Sequence, residues 1–192
     1  MFKKLMTVFM LLLLPAVSQA EVELTDEQIA ELLDVKIRFA THMAFQPNII
    51  RAVEAQNNQN LTLAEIKDRD QMWIDANGGS NSLIREITRN DIARYLQRRV
   101  ENNTAIDEVF ITDNQGANVA AFPPTSDYWQ GDEGKFTSSY NEGQGQVFIG
   151  PLEHDASTNK TQVQISAPVI SNNETIGVLI MGVSVDYLSG QQ

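Results

Sequence analysis

The chain has 192 residues, no cysteine, two histidines, and 25 Asp+Glu against 14 Lys+Arg, for a formal charge of −11. The missing cysteine excludes disulfides, thiolate metal sites and a cysteine nucleophile. The acidic balance argues against nucleic acid or anionic lipid as the main partner, because both are polyanions.

Lys3 and Lys4, an apolar run over residues 5–17 and the small residues Ser18 and Ala20 read as a secretory signal peptide. The run is shorter than the ~20 residues that span a bilayer, so cleavage after Ala20 is expected. Cleavage leaves 172 residues, a length for one domain, and removes two lysines, which moves the formal charge to −13. No later apolar run reaches membrane-spanning length, so a soluble protein of the periplasm is expected.

Thr25-Asp26-Glu27-Gln28 is a capping box, with Leu24 and Ile29 as its hydrophobic staple. The helix it opens carries Ile29, Leu32, Leu33, Ile37, Ala40 and Ala44 on one face. Pro47 interrupts it, and Ile49, Ile50 and Val53 suggest a short resumption before a polar loop over residues 56–60. Thr62-Leu63-Ala64-Glu65, stapled by Leu61 and Ile66, opens a second helix through Trp73, which Asn77-Gly78-Gly79-Ser80 breaks. A third helix is predicted over residues 83–100, with Ile84, Ile87, Ile92, Leu96 and Val100 inward.

From Asp107 the period changes to that of strands. Residues 109–112 and 117–122 flank a hairpin-like turn, Asp113-Asn114-Gln115-Gly116. Residues 123–134 form an irregular polar and aromatic loop, and further strands are predicted over 146–152, 161–170 and 175–185. The last strand is apolar on both faces and is expected to be central. A helical half (21–104) and a strand half (105–192) of one domain give an α+β layout, a long N-terminal helix on an antiparallel sheet of about five strands. The free flank of that helix could pair with another copy, a homodimer.

The run from Glu108 to Ala121, then Thr125-Ser126-Asp127-Tyr128-Trp129-Gln130-Gly131-Asp132-Glu133, resembles the Cache family of extracytoplasmic sensor domains, also called PDC or PAS-like sensors. Residues 145–150, Ile165-Ser166-Ala167-Pro168-Val169-Ile170, Ile176-Gly177-Val178-Leu179 and Pro47-Asn48-Ile49-Ile50-Arg51-Ala52-Val53 are similar to it as well. The resemblance implies a single PAS-like domain with a small-molecule pocket between the central strands and the loop after the second strand. It implies a ligand such as an amino acid, an amine or a small carboxylate, signalled to a membrane-bound receptor, sensor kinase or cyclic-dinucleotide enzyme. The chain closes at Gln192, directly after the last strand, so a free-standing module that signals through another protein is expected. Lys135-Phe136 departs from the family pattern, where aromatic residues often follow the acidic pair.

Asp127, Tyr128, Trp129, Asp132 and Glu133 share one loop, and their rings and carboxylates suit an amine or a polar solute. The bland alternative is that the rings pack the loop onto the sheet and the carboxylates face water. The resemblance favours Asp127 and Tyr128 as ligand contacts; spacing alone does not. Tyr140, Phe148 and Ser166 are candidates for the same pocket, with core packing as the alternative. Arg94 and Arg98 could reach a ligand carboxylate, or serve as solvated helix charges.

Glu153-His154-Asp155 makes a poor metal site, because neighbours on a strand point to opposite faces. Asp113-Asn114-Gln115-Gly116 lacks the full calcium-loop pattern and reads as a β-turn. No nucleophile elbow, phosphate-cradling loop or spaced carboxylate pair is present, so no catalytic residue, no cofactor and no enzymatic activity are expected. Two further functions compete with the sensor: a structural or regulatory interaction protein that keeps the fold without a usable pocket, and an unrecognised hydrolase.

Overall fold

The computed structural model describes residues 26–155 and 160–184. The expected signal peptide, Thr25 of the expected capping box, Leu24 of its staple, and residue 185 of the last predicted strand lie outside them.

Among the described residues five helices precede the sheet: α1 (Asp26–Ala44), α2 (Pro47–Asn57), α3 (Leu63–Ile74), α4 (Ser82–Arg89) and α5 (Asp91–Glu101). Pro47 ends nothing by itself; it sits in the first turn of α2, where its missing N–H has no intrahelical partner to lose. The polar stretch after it becomes loop later than expected, since α2 runs to Asn57. Thr62 closes the capping box on α3 from both sides: its hydroxyl accepts from Glu65 N, and Glu65 Oε2 accepts from Thr62 N at 2.8 Å.

The helix predicted over 83–100 is two helices. Asn90 is extended (φ −71°, ψ 174°) and caps α5, its Oδ1 accepting from Ala93 N at 2.8 Å while its Nδ2 donates to Val119 O at 2.9 Å. Both helices contact the same edge strand, but α4 buries Leu83, Ile84 and Ile87 in one core and α5 buries Ala93 and Leu96 in the other, so one continuous apolar spacing serves two faces of the sheet. The side-chain cap of Asn90 decides the break.

The sheet contains β1 (Ile106–Thr112), β2 (Asn118–Phe122), β3 (Phe148–Asp155), β4 (Lys160–Ser171) and β5 (Glu174–Ser184), in the order β2-β1-β5-β4-β3 with every pairing antiparallel. β5 is central, as its two apolar faces require. A short helix that the residue pattern did not announce, α6 (Gly134–Tyr140), lies between β2 and β3 and packs on β3, β4 and β5.

Alternate residues of the strands feed two cores. Val109, Ile111, Ile165, Ala167, Leu179, Met181 and Val183 meet Ala40, Met43, Ile49, Val53 and Leu96 from α1, α2 and α5. Phe110, Val178 and Ile180 meet Ile66, Trp73, Ile84, Tyr128 and Phe136 from α3, α4, the 123–134 loop and α6.

Candidate ligand-binding site

The floor of the site is one row of the sheet. The register sets Ala121, Phe110, Ile180, Ser166 and Phe148 side by side across all five strands. Phe110 and Ile180 share their core with Tyr128 and Phe136, so this row faces the loop. Above it, α6 brings Lys135 Nζ to 5.5 Å from the Phe110 ring centroid, while Phe136 is buried and stacks on Tyr140 at 5.2 Å.

The roof is the 123–134 loop, held by polar side chains from three directions. Asp70 Oδ1 on α3 accepts from the backbone N–H groups of Tyr128 (2.9 Å) and Trp129 (3.0 Å). Trp73 Nε1 donates to Thr125 O at 2.9 Å, and Asn118 Nδ2 donates to Thr125 Oγ1 at 2.7 Å and to Asp127 O at 3.2 Å. The loop lies against the hairpin turn, where Gln130 N donates to Gly116 O at 2.8 Å. Gly116 has φ +85°, and a Cβ there would stand 2.4 Å from Gly131 Cα, so this approach requires glycine. Asp113 shapes the same turn, its Oδ1 accepting from Gln115 N and Ala117 N at 2.9 Å each.

The charges converge at the start of α6. Glu133 Oε2 pairs with Lys135 Nζ at 2.9 Å. Burial pushes the Asp127 carboxyl up to about 6; the neighbouring carboxylates of Glu133 and Asp70 add to the rise, and Lys135 and the bond from Gln130 Nε2 oppose it. Burial also pushes the phenols of Tyr128 and Tyr140 up. Three buried polar atoms on this side, Asn118 Oδ1, Gln130 Oε1 and Ser166 Oγ, have no hydrogen-bond partner among the described residues. A cavity of about 110 Å³ opens between the start of α6 and strands β3 and β4, lined among others by Glu133, Lys135, Phe148 and Gln164; Ser166 is the register partner of Phe148, whereas Asn118 lies on β2 at the other edge of the sheet. Among the described residues no group of three His, Asp or Glu side chains is placed to hold a metal.

The structure therefore gathers Asp127, Glu133, Phe148 and Ser166 on the loop side, with Tyr140 at the far end of α6. Tyr128 is fully buried beneath the loop: its hydroxyl accepts from Gln56 Nε2 at 3.0 Å and its ring lies 6.1 Å from that of Trp73. Trp129 is half-buried, its Nε1 donating to Gln115 O at 2.8 Å and its ring 4.7 Å from Lys67 Nζ. Asp132 is exposed. Arg94 and Arg98 are not brought to the loop: α5 buries Ala93 and Leu96 in the opposite core, and Arg94 pairs with Asp91.

Sequence reasoning missed Asp70 and Gln56. Both occupy apolar-stripe positions of their helices, Ile66-Asp70-Trp73 and Ile49-Val53-Gln56, and a polar residue at such a position is the signal that finds them. Lys135 stood only as a departure from a family pattern.

No family model and no curated protein matches the chain. Solved structures do. The sensor domain of the V. cholerae histidine kinase DctB superimposes with a TM-score of 0.51 at 17% identity, over 86% of this chain and 54% of that one. The E. coli DcuS sensor domain superimposes with a TM-score of 0.54 at 13% identity, over 86% of this chain and 98% of that one. The chain thus spans about half of the DctB domain and nearly all of the DcuS domain. At these identities the likeness is one of fold: the chain has the α+β architecture of a single Cache (PDC) sensor domain.

Proposed function

We propose that this chain is an extracytoplasmic sensor module that binds a small polar metabolite under the 123–134 loop and reports it to a membrane-bound receptor, sensor kinase or cyclic-dinucleotide enzyme. One observation carries the reading: Ser166 Oγ, Gln130 Oε1 and Asn118 Oδ1 are buried and unpartnered among the described residues, on the side that holds Asp127, Glu133 and Lys135. An unpaired buried polar group costs about 1–3 kcal/mol, a cost that a polar ligand offsets when it binds. The sensor-domain fold supports the same assignment.

The charges suit a ligand with an ammonium for Asp127 and Glu133, a carboxylate for Lys135, or both. An amino acid uses both ends; an amine or a small carboxylate uses one. A cavity of about 110 Å³ equals roughly four water volumes, so the ligand is small or enters with an outward movement of the loop. Tyr128 is a positioning residue in this scheme, because its ring and hydroxyl are used inside the protein.

A thermal-shift panel of short amines, amino acids and small carboxylates tests the reading, since a ligand bound only by the native state raises the melting temperature. The expected result is a shift by at least one class, lost for amines in Asp127→Asn and for carboxylates in Lys135→Gln. No shift by any class favours the second reading, a Cache-fold interaction protein without a usable pocket. That reading draws on the way Tyr128 and Trp73 fill the space beneath the loop.

The same proposal places a signal peptide at residues 1–20 and the mature domain at 21–192; amino-terminal sequencing of exported protein should begin at Glu21. It includes a homodimer along α1, whose Val35 stays exposed with Phe45 just beyond its end. A monomeric mass by light scattering at high concentration removes the dimer from the proposal.

A further inference from the structure

Helices α4 and α5 carry Arg85, Arg89, Arg94, Arg98 and Arg99, five of the 14 Lys+Arg of an acidic chain. Two of these, Arg98 and Arg99, line a groove of about 560 Å³ together with Phe39 of α1, Tyr95 of α5, and Asn102 and Asn103 of the turn that follows. That volume falls within the ~300–1,000 Å³ range of small-molecule sites. α5 packs on the sheet face opposite the 123–134 loop, so the groove is separate from the site above.

The groove has donors and an aromatic wall, and among the described residues no carboxylate lines it. Arg38 pairs with Asp34 and Arg94 with Asp91, whereas no ion pair engages Arg98 or Arg99 among the described residues. The Arg99 guanidinium carbon lies 4.8 Å from the Tyr95 ring centroid, an arrangement that holds the fork over the ring and leaves its edge donors for a ligand. Asn103 Oδ1 already accepts from Lys36 Nζ (3.3 Å) and Ala105 N (3.2 Å), and its Nδ2 has no acceptor among the described residues.

Arginines in a last turn also offset the negative end of a helix. At this end two of the last carbonyls are already served: Val100 O accepts from the backbone of Asn102 and Asn103, and Arg98 O accepts from Asn102 Nδ2 at 2.6 Å. Among the described residues no hydrogen bond or ion pair engages the guanidinium donors of Arg98 and Arg99. We infer that the α1–α5 groove is a second binding site, for a small organic anion whose carboxylate bridges Arg98 and Arg99 while a flat ring rests on Phe39.

The test uses the mature chain and two probes of one shape, benzoate and its neutral amide benzamide, with amide NMR shifts as readout. Benzoate is expected to move the signals of Phe39 and residues 95–103 saturably, and benzamide to leave them in place. The double variant Arg98→Gln, Arg99→Gln should keep the circular dichroism of the parent and bind benzoate about tenfold or more weakly, because charge-assisted bonds are lost. Asp127→Asn should bind it unchanged. No saturable shift in this segment, equal shifts from both probes, or undiminished binding by the double variant overturns the proposal.

Discussion

The sheet face under α1, α2 and α5 is closed by aliphatic side chains along nearly its whole width, with Ile165, Ala167, Leu179 and Met181 fully buried against Ala40, Met43 and Leu96. The face under the loop is built from the neighbouring residues of the same strands and has a different physics. It holds Phe110, Val178 and Ile180, but also Thr112, Gln162, Gln164 and Ser166, and it meets Asp127, Gln130, Glu133 and Lys135. Among the described residues, four of the five buried side-chain atoms without a partner belong to this side: Asn118 Oδ1, Gln130 Oε1, Gln162 Oε1 and Ser166 Oγ. Close packing spends a face on stability, because each buried methylene there adds to the folding free energy. A face that buries unpaired polar atoms gives up some of that stability and keeps groups a ligand can use.

The largest expected effect lies on the closed face. Leu179→Ala leaves a cavity in an apolar core and should cost roughly 2–5 kcal/mol in denaturant unfolding. Next comes the beam beneath the loop: Tyr128→Phe removes the acceptor of Gln56 Nε2 and should cost about 1–2 kcal/mol by the same measurement. Asn90→Ala removes the cap of α5 and the bond to Val119 O, and about 1 kcal/mol is expected, with the loss seen in helical circular dichroism and melting temperature.

The fourth prediction separates the faces by pH. The folded Asp127 carboxyl titrates near about 6 against an ordinary 3.8, so between those values the folded state binds more protons than the unfolded one. Stability from this group therefore falls as pH rises through that window and is flat above it. In Asp127→Asn this decline should vanish from the melting-temperature profile. A cationic ligand that sits on Asp127 should bind about tenfold more tightly at about pH 7 than at about pH 5, as the carboxylate fraction grows. The smallest effect belongs to Ser166→Ala, which deletes an unpaired hydroxyl and should be neutral within about 0.5 kcal/mol, or stabilising. A cost for Ser166→Ala equal to that of Leu179→Ala breaks the contrast between the faces.

Much of the frame was legible along the chain. Thr62 and Glu65 announced α3, Pro47 the interruption after α1, and the turn at Asp113–Gly116 the first hairpin, because caps and turns are set by bonds between residues a few positions apart. The unbroken apolar run of residues 176–183 placed β5 at the centre of the sheet, since only a strand covered on both faces tolerates it. The site was half legible. The residue types near Asp127 marked the right loop, yet the pattern could not tell that Tyr128 turns inward to Gln56 and Trp73 while Lys135, on an unannounced helix, turns over Phe110.

Local order follows from the sequence alone wherever a few neighbouring residues satisfy one another: the caps, the hairpin turn, the alternation of strand faces and the two-sided burial of β5. Tertiary structure alone decided which polar side chains meet. Asp70 is 58 positions from the Tyr128 backbone it clamps, and Gln56 is 72 from the hydroxyl it bonds. Contacts at such separations depend on how two helices and a loop settle on one sheet, a packing outcome that no short window of residues encodes.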